Sequence, residues 1–230
     1  LKNIITGKEG TGIMKALSTT LYAKSDSWSA AAGNIRKAIE ALETAESALL
    51  EIATLATRLE ELGALYNDND LLSTSDVAAL DAETETITAA IDSIVSGATF
   101  NGVSMLDTAG VTFDAGVTAE GNTQTLTTEA ISSVASTTEA TDADTTGASL
   151  NNEVTISLGE ISGGITTLLA RENIAYAASA IMSAAADNAV ETDLAAEAAQ
   201  LTKQMMLQKV SLSLTAQANL SENAKLNLVS

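Results

Sequence analysis

The 230-residue chain contains no proline, no cysteine and no histidine. Without His or Cys there is no zinc site of the usual donors, no thiol or imidazole nucleophile and no imidazole general base. A Cys-free chain cannot form a disulfide and therefore suits export through a secretion channel. Without Pro, long helices can run unbroken. Aromatic residues make up only 3% of the chain although 46% is apolar, less aromatic mass than an enzyme core of this size usually carries. No run of 18 or more apolar residues marks a membrane span, and no basic start followed by an apolar stretch marks a signal peptide.

Positive charge is also missing from half of the chain. Residues 59–170 have no Lys or Arg and 18 Asp or Glu, so they hold nearly all of the net charge of −19. Residues 1–58 carry seven basic and six acidic side chains, and residues 171–230 carry four and six. The balance argues against nucleic acid as a partner. The acidic middle reads as a solvated surface rather than a cation site, while the near-neutral ends are apolar enough to pack.

What is present is helical periodicity. With Ile35 at heptad position a, the seam reads Ile35, Leu42, Leu49, Ala56, Gly63 at a and Ala38, Ala45, Ile52, Leu59, Tyr66 at d. Ala41, Ala48, Leu55 and Leu62 widen it, so the helix meets more than one neighbour. Gly63 and "YNDND" are expected to end it. A second helix follows Ser73 or Ser75 as N-cap, with Val77, Leu80, Thr84, Ile87, Ile91 and Ile94 on its seam and Gly97 as its stop. "FNGVSML" and "VTFDAGVTAEGNTQTLT" predict one or two hairpins, and "ASTTEATDADTTGAS" (135–149) an exposed acidic loop. Helical patterning resumes near Gly159 through Ile161, Ile165, Leu168, Ala175, Met182 and Ala189. A last helix is expected from about Asp193, with Leu194, Ala198, Leu201, Met205 and Leu212 on one face.

Residues 210–220, "VSLSLTAQANL", alternate apolar and polar without a slip, the usual pattern of a half-buried strand. On a helix the six apolar positions fall near 0, 200, 40, 240, 80 and 280°, two opposed faces that need neighbours on both sides. A helix made for assembly is the reading adopted, with Ala216 and Ala218 allowing close approach and Gln217 and Asn219 supplying hydrogen bonds.

No Gly-rich phosphate loop or G-x-S-x-G elbow is present. "NDND" lacks the glycine and distal Glu of an EF-hand loop and reads as an interhelix turn. The acid pairs Glu60–Glu61 and Glu83–Glu85 read as solvated helix faces, Trp28 as a packing residue, and Asn219-Leu220-Ser221 as a chance match to the glycosylation pattern. No catalytic residue, metal site or cofactor is expected.

"AESALLEI" (45–52), "TFNGVSML" (99–106), and "DLAAEAAQLTKQMMLQ" (193–208) leading to "AQAN" (216–219), with "ITGK" at 5–8, together resemble bacterial flagellin over about 1–106 and 155–230. The resemblance implies a mainly α fold, an elongated rod of long antiparallel coiled-coil-like helices with a small β-hairpin region in the middle. It implies a spoke or linker segment at 1–28, a helical rod at 29–190 (helices about 29–66, 73–96 and 159–190, hairpins and acidic loop about 99–152), and a filament-core helix at 191–230. Rod packing falls to Ile35, Leu42, Leu49, Ile52 and Leu59. Core-helix assembly falls to Leu201, Met205, Leu212, Leu214, Ala216, Gln217, Ala218, Asn219 and Leu226. The implied function is a secreted, extracellular filament subunit of the bacterial flagellum, a homo-oligomer for motility. Its implied partners are an export chaperone and cap or junction proteins, with no membrane insertion. A hook–filament junction protein and a flagellin-like cell-surface binding protein are the alternatives.

Three departures from that family carry expectations of their own. The sequence opens on Leu1, and the helix that precedes "ITGK" in the family is not among these residues, so this chain is expected to polymerise poorly. Glu222 stands where the family often has Pro after "AQAN", so the last helix is expected to continue. Where flagellins sensed by an animal innate-immune receptor carry Arg-x-Arg-Glu-Leu, this chain reads "RLEEL": Arg58, Glu61 and Leu62 match, and Glu60 reverses a charge.

Overall fold

The computed structural model describes residues 8–132 and 139–229, with side chains described at 12–132, 139–192 and 194–217. Among the described residues there are three long helices, α1 (Lys8–Asn67), α2 (Thr74–Gly97) and α3 (Ala143–Val229). Four short strands lie between α2 and α3: β1 (Thr99–Phe100), β2 (Val103–Ser104), β3 (Val111–Gly116) and β4 (Thr123–Thr128). A 3-10 turn, Ala140–Asp142, leads into α3. The chain forms two compact units: unit 1 takes 1–26 and 179–230, and unit 2 takes 27–178.

In unit 2 the first seam packs as its spacing predicts. Ile35, Leu42, Leu49, Ile52, Ala56 and Leu59 are 0–1% exposed and share one core with Leu80, Ile87, Ile91, Leu150, Ile161 and Leu168. α1 and α3 run antiparallel, since Glu60 meets Asn151, Leu42 lies beside Gly164 and Arg36 meets Glu172. The two hairpins close the open side: β1 pairs antiparallel with β2 and β3 with β4, Phe113 opposite Leu126. The β1–β2 turn is Asn101-Gly102, both at positive φ (51° and 79°), the backbone that a two-residue hairpin demands. Leu126 and Ile131 carry the hairpin region into the core.

Ser73 is the N-cap of α2. Its hydroxyl accepts from the Asp76 amide at 3.3 Å, and Asp76 Oδ2 accepts from the Ser73 amide at 2.9 Å and from the Ser73 hydroxyl at 2.6 Å. The Ser73 hydroxyl first, then its amide, holds the Asp76 carboxyl below the ordinary Asp range. A depressed folded-state pKa gives stability above the unfolded value that is lost as pH falls through the folded one. Protection of the amides at the start of α2, measured against their intrinsic exchange rates, should therefore fall below about pH 4, and Asp76→Asn should flatten that acid limb. Protection factors at residues 76–77 that are unchanged between pH 5 and pH 3 would contradict this.

The helix boundaries differ from the sequence reading. α1 starts at Lys8, well before 29, and the Gly, Ser and Thr residues of this segment do not break it. The hydroxyls of Ser18, Thr19 and Thr20 bond back to the carbonyls of Lys15 and Ala16. α1 ends at Asn67, in the "YNDND" segment expected to end it and one residue past the expected 66, and Gly63 is carried inside the helix. A Cβ at Gly63 would lie 2.2 Å from the Asp144 nitrogen, so this glycine admits the start of α3. The helices expected at 159–190 and from 191 are one helix, beginning at Ala143. With no Pro present, Gly159 and Gly163 each cost the helix only about 1 kcal/mol, and packing outweighs it.

The acidic loop expected at 135–149 is corrected in part. Residues 133–138 lie outside the described residues, while Ala140 onward is helical. Asp81 Oδ1 accepts the Ala140 amide at 2.8 Å, and Asp144 sits in the first turn of α3, where a carboxylate favours the helix. The period-two stretch at 210–220 is helix, and α3 continues past Glu222 to Val229.

Candidate assembly surface

Unit 1 pairs the first part of α1 with α3. The Tyr22 hydroxyl donates to Asp187 Oδ1 at 2.5 Å, and this hydrogen bond to a carboxylate favours the neutral phenol and raises its pKa. The Ser25 hydroxyl lies 3.0 Å from the Ser179 carbonyl and 3.1 Å from the Ser179 hydroxyl. Ser18, Ala186 and Ala189 are buried at this pairing, and a cavity of about 340 Å³ lies between Met14, Ser18, Tyr22, Val190 and Leu194.

Beyond that pairing the character of α3 changes. Val190, Leu194, Leu201, Met205, Met206, Leu207, Val210, Leu212 and Leu214 are 37–71% exposed, nine large apolar side chains within 25 residues. Ala216 and Gln217 are exposed too. The side chains of Ala218, Asn219 and Leu226 lie outside the described ones, although their backbone is helical. Isolated exposed apolar residues need no explanation, but a contiguous apolar helix surface marks an interaction site.

The charge divides with the units. Unit 2 has four basic and 23 acidic side chains, net −19, whereas unit 1 has seven of each. Self-repulsion between copies therefore resides in unit 2, and unit 1 is the unit without net charge.

The rod-packing residues Ile35, Leu42, Leu49, Ile52 and Leu59 all lie in the unit 2 core. Around Arg58 the guanidinium donates to Glu83 Oε1 from Nε (2.9 Å) and Nη2 (2.7 Å), and to Glu61 Oε2 from Nη1 (2.9 Å). Glu83 and then Glu61 raise the pKa of the guanidinium. Leu62 is 1% exposed and belongs to the core rather than to a surface. Glu60 accepts a hydrogen bond from Asn151 Nδ2 at 2.7 Å, so it faces α3. No sequence signal foretold this, since the partner lies in α3, far along the chain.

Residues 4–110 match the family model of the bacterial flagellin N-terminal helical region. Over that stretch, a little under half of the chain, it is similar to the bacterial flagellins. The crystal structure of Bacillus cereus flagellin is similar to it at 25% identity, covering 63% of this chain and 85% of that one, with a TM-score of 0.44. No curated protein matches. Among the described residues, no helix is long and apolar enough to cross a membrane and no cluster of three or more acidic side chains is placed to hold a metal ion.

Proposed function

We propose that this chain is a flagellin, a structural subunit of the extracellular flagellar filament, and that it enters the filament through the apolar stretch of α3, with Leu201, Met205, Leu212, Leu214, Ala216 and Gln217, and with Ala218, Asn219 and Leu226 continuing it. The observation that carries the reading is the run of nine exposed large apolar side chains between Val190 and Leu214 in the unit without net charge. At about 25 cal/mol per Å² of apolar surface removed from water, each fully covered Leu or Met adds roughly 1.5–3 kcal/mol to the contact. Apolar residues on two opposed faces need neighbours on both, which a packed array of subunits supplies. Until it is assembled the same surface needs a cover, the role of an export chaperone, and the growing tip needs cap and junction proteins to receive it. Seeded polymerisation followed by sedimentation tests the reading. Leu201→Asp with Leu212→Asp should leave at least tenfold less protein in the pellet while the Trp28 unfolding transition of unit 2 stays in place. Wild-type pelleting by the double variant would refute it.

The Arg58 patch supports a second, separate reading: this flagellin activates the innate-immune receptor poorly. The one retained arginine is already held by Glu61 and Glu83, and Glu60 stands where the sensed flagellins have a second arginine. A receptor surface complementary to arginine meets acid here. A reporter-cell assay should show at least a tenfold weaker response than a flagellin with both arginines. Strong signalling at low dose would overturn it.

A further inference from the structure

Unit 2 has a feature that the terminal helices do not explain. A groove of about 460 Å³ opens between α1 and the hairpins, walled by Phe100, Val103, Met105 and Phe113. Both phenylalanines of the chain are drawn into it, and each is half-buried. Val103 at its rim is 53% exposed. Lys37 lines the groove and is exposed. Of the four cations in unit 2, Arg36 is paired with Glu172, Arg58 with Glu61 and Glu83, and Arg171 is half-buried. Lys37 has no ion pair among the described residues. Asp114 also borders the groove, with its carboxylate taken up by the Thr125 hydroxyl at 2.7 Å.

At the other end of the same unit lies a knob. Leu71, in the turn between α1 and α2, is 92% exposed, more than any other large apolar side chain described. The turn is held in shape: the Asp68 amide donates to the Ala64 carbonyl at 3.0 Å and the Leu71 amide to Asn69 Oδ1 at 3.1 Å. Asp68 and Asp70, both exposed, flank it. The result is an apolar side chain in an acidic collar.

We propose that the groove receives the Leu71 turn of a second copy of this chain, Leu71 against Phe100 and Phe113, Asp68 and Asp70 toward Lys37. Charge complementarity selects this occupant. In a unit of net −19 two copies meet favourably only where acid faces a free cation, and the groove is where one stands. Groove and knob are different surfaces of one chain, so the contact is heterologous and open-ended, and it propagates rather than closes. From Lys37 to Asn67 α1 rises about 45 Å at 1.5 Å per residue, which sets the spacing of copies joined this way. The proposal rests on the filament reading for its setting but names a contact separate from the α3 stretch.

The absence of cysteine permits a direct test. Leu71→Cys and Val103→Cys proteins are mixed under polymerising conditions and oxidised, with Leu71→Cys and Ile174→Cys (Ile174 is 61% exposed) as the control pair. The expected result is at least tenfold more mixed disulfide from the groove pair than from the control pair. Lys37→Glu in the Val103→Cys protein should reduce it at least fivefold, and Asp68→Lys with Asp70→Lys in the Leu71→Cys protein should restore it. Groove-pair disulfide no greater than the control, or unchanged by Lys37→Glu, overturns the proposal. Sedimentation of the wild-type chain is run beside it. Pelleting without groove cross-links removes this contact and leaves the filament reading intact, while groove cross-links without pelleting support the contact and count against the α3 reading.

Discussion

Gly147→Ala should lower the midpoint of unit 2 unfolding by about 2–8 °C, although alanine is the better helix former. A Cβ at Gly147 would lie 2.5 Å from the Ala56 carbonyl oxygen, 2.7 Å from Glu60 Cγ and 2.8 Å from the Glu60 nitrogen. Two of those three neighbours are backbone, so α1 and α3 must move apart at this close approach. Overpacking of this kind costs about 1–3 kcal/mol and sometimes more, against a helix gain of under about 1 kcal/mol. Each kcal/mol moves the midpoint of a unit this size by roughly 2–4 °C. Gly159 lies in the same helix with nothing within 4 Å of its would-be Cβ. Gly159→Ala should therefore raise the midpoint by roughly 1–4 °C. Opposite signs for the same substitution in one helix are the diagnostic result. A midpoint for Gly147→Ala at or above the wild type would show that the close approach is not what holds this glycine.

The contrast between these two glycines also explains how much of the fold was legible in the sequence. The α1 seam was, because burial of Ile35, Leu42, Leu49 and Leu59 follows from spacing alone. So was the β1–β2 hairpin, because Asn-Gly supplies both positive φ values that its turn requires. The start of α1, the place of Gly63 inside it and the start of α3 were not. Composition marks Gly63 as a stop and Gly159 as a start, but each glycine's effect depends on what faces it. Gly63 faces Asp144, which lies far along the chain, and Gly159 faces open space. The exposed α3 stretch was foreshadowed by apolar residues on two opposed faces, a pattern that a singly packed helix does not need. The groove was not foreshadowed. Phe100 and Phe113 are lone aromatics in different strands, and only the folded hairpins set them beside Lys37.

Leu49→Ala tests the core itself and should have the larger effect. Leu49 is fully buried, with Ala45 and Ile52 on the same seam of α1 also at 0% exposure. Truncating a buried Leu costs its transfer free energy plus the cavity it leaves, about 2–5 kcal/mol. Leu50, its neighbour, is 55% exposed and turned away from the seam, so Leu50→Ala should cost under about 1 kcal/mol. Both variants lose the same atoms from adjacent positions of one helix, and their helix propensities change alike. The difference between them isolates burial. Trp28, the only tryptophan of the chain, packs against the unit 2 core, so its fluorescence follows the unit that contains the substitution. In urea, Leu49→Ala should shift the midpoint strongly at unchanged slope, which separates lost stability from a changed unfolded state. Equal shifts for Leu49→Ala and Leu50→Ala would mean that the heptad seam is not the interface holding α1 in place. The register would then be wrong for every residue assigned from it, Ile35 through Leu59.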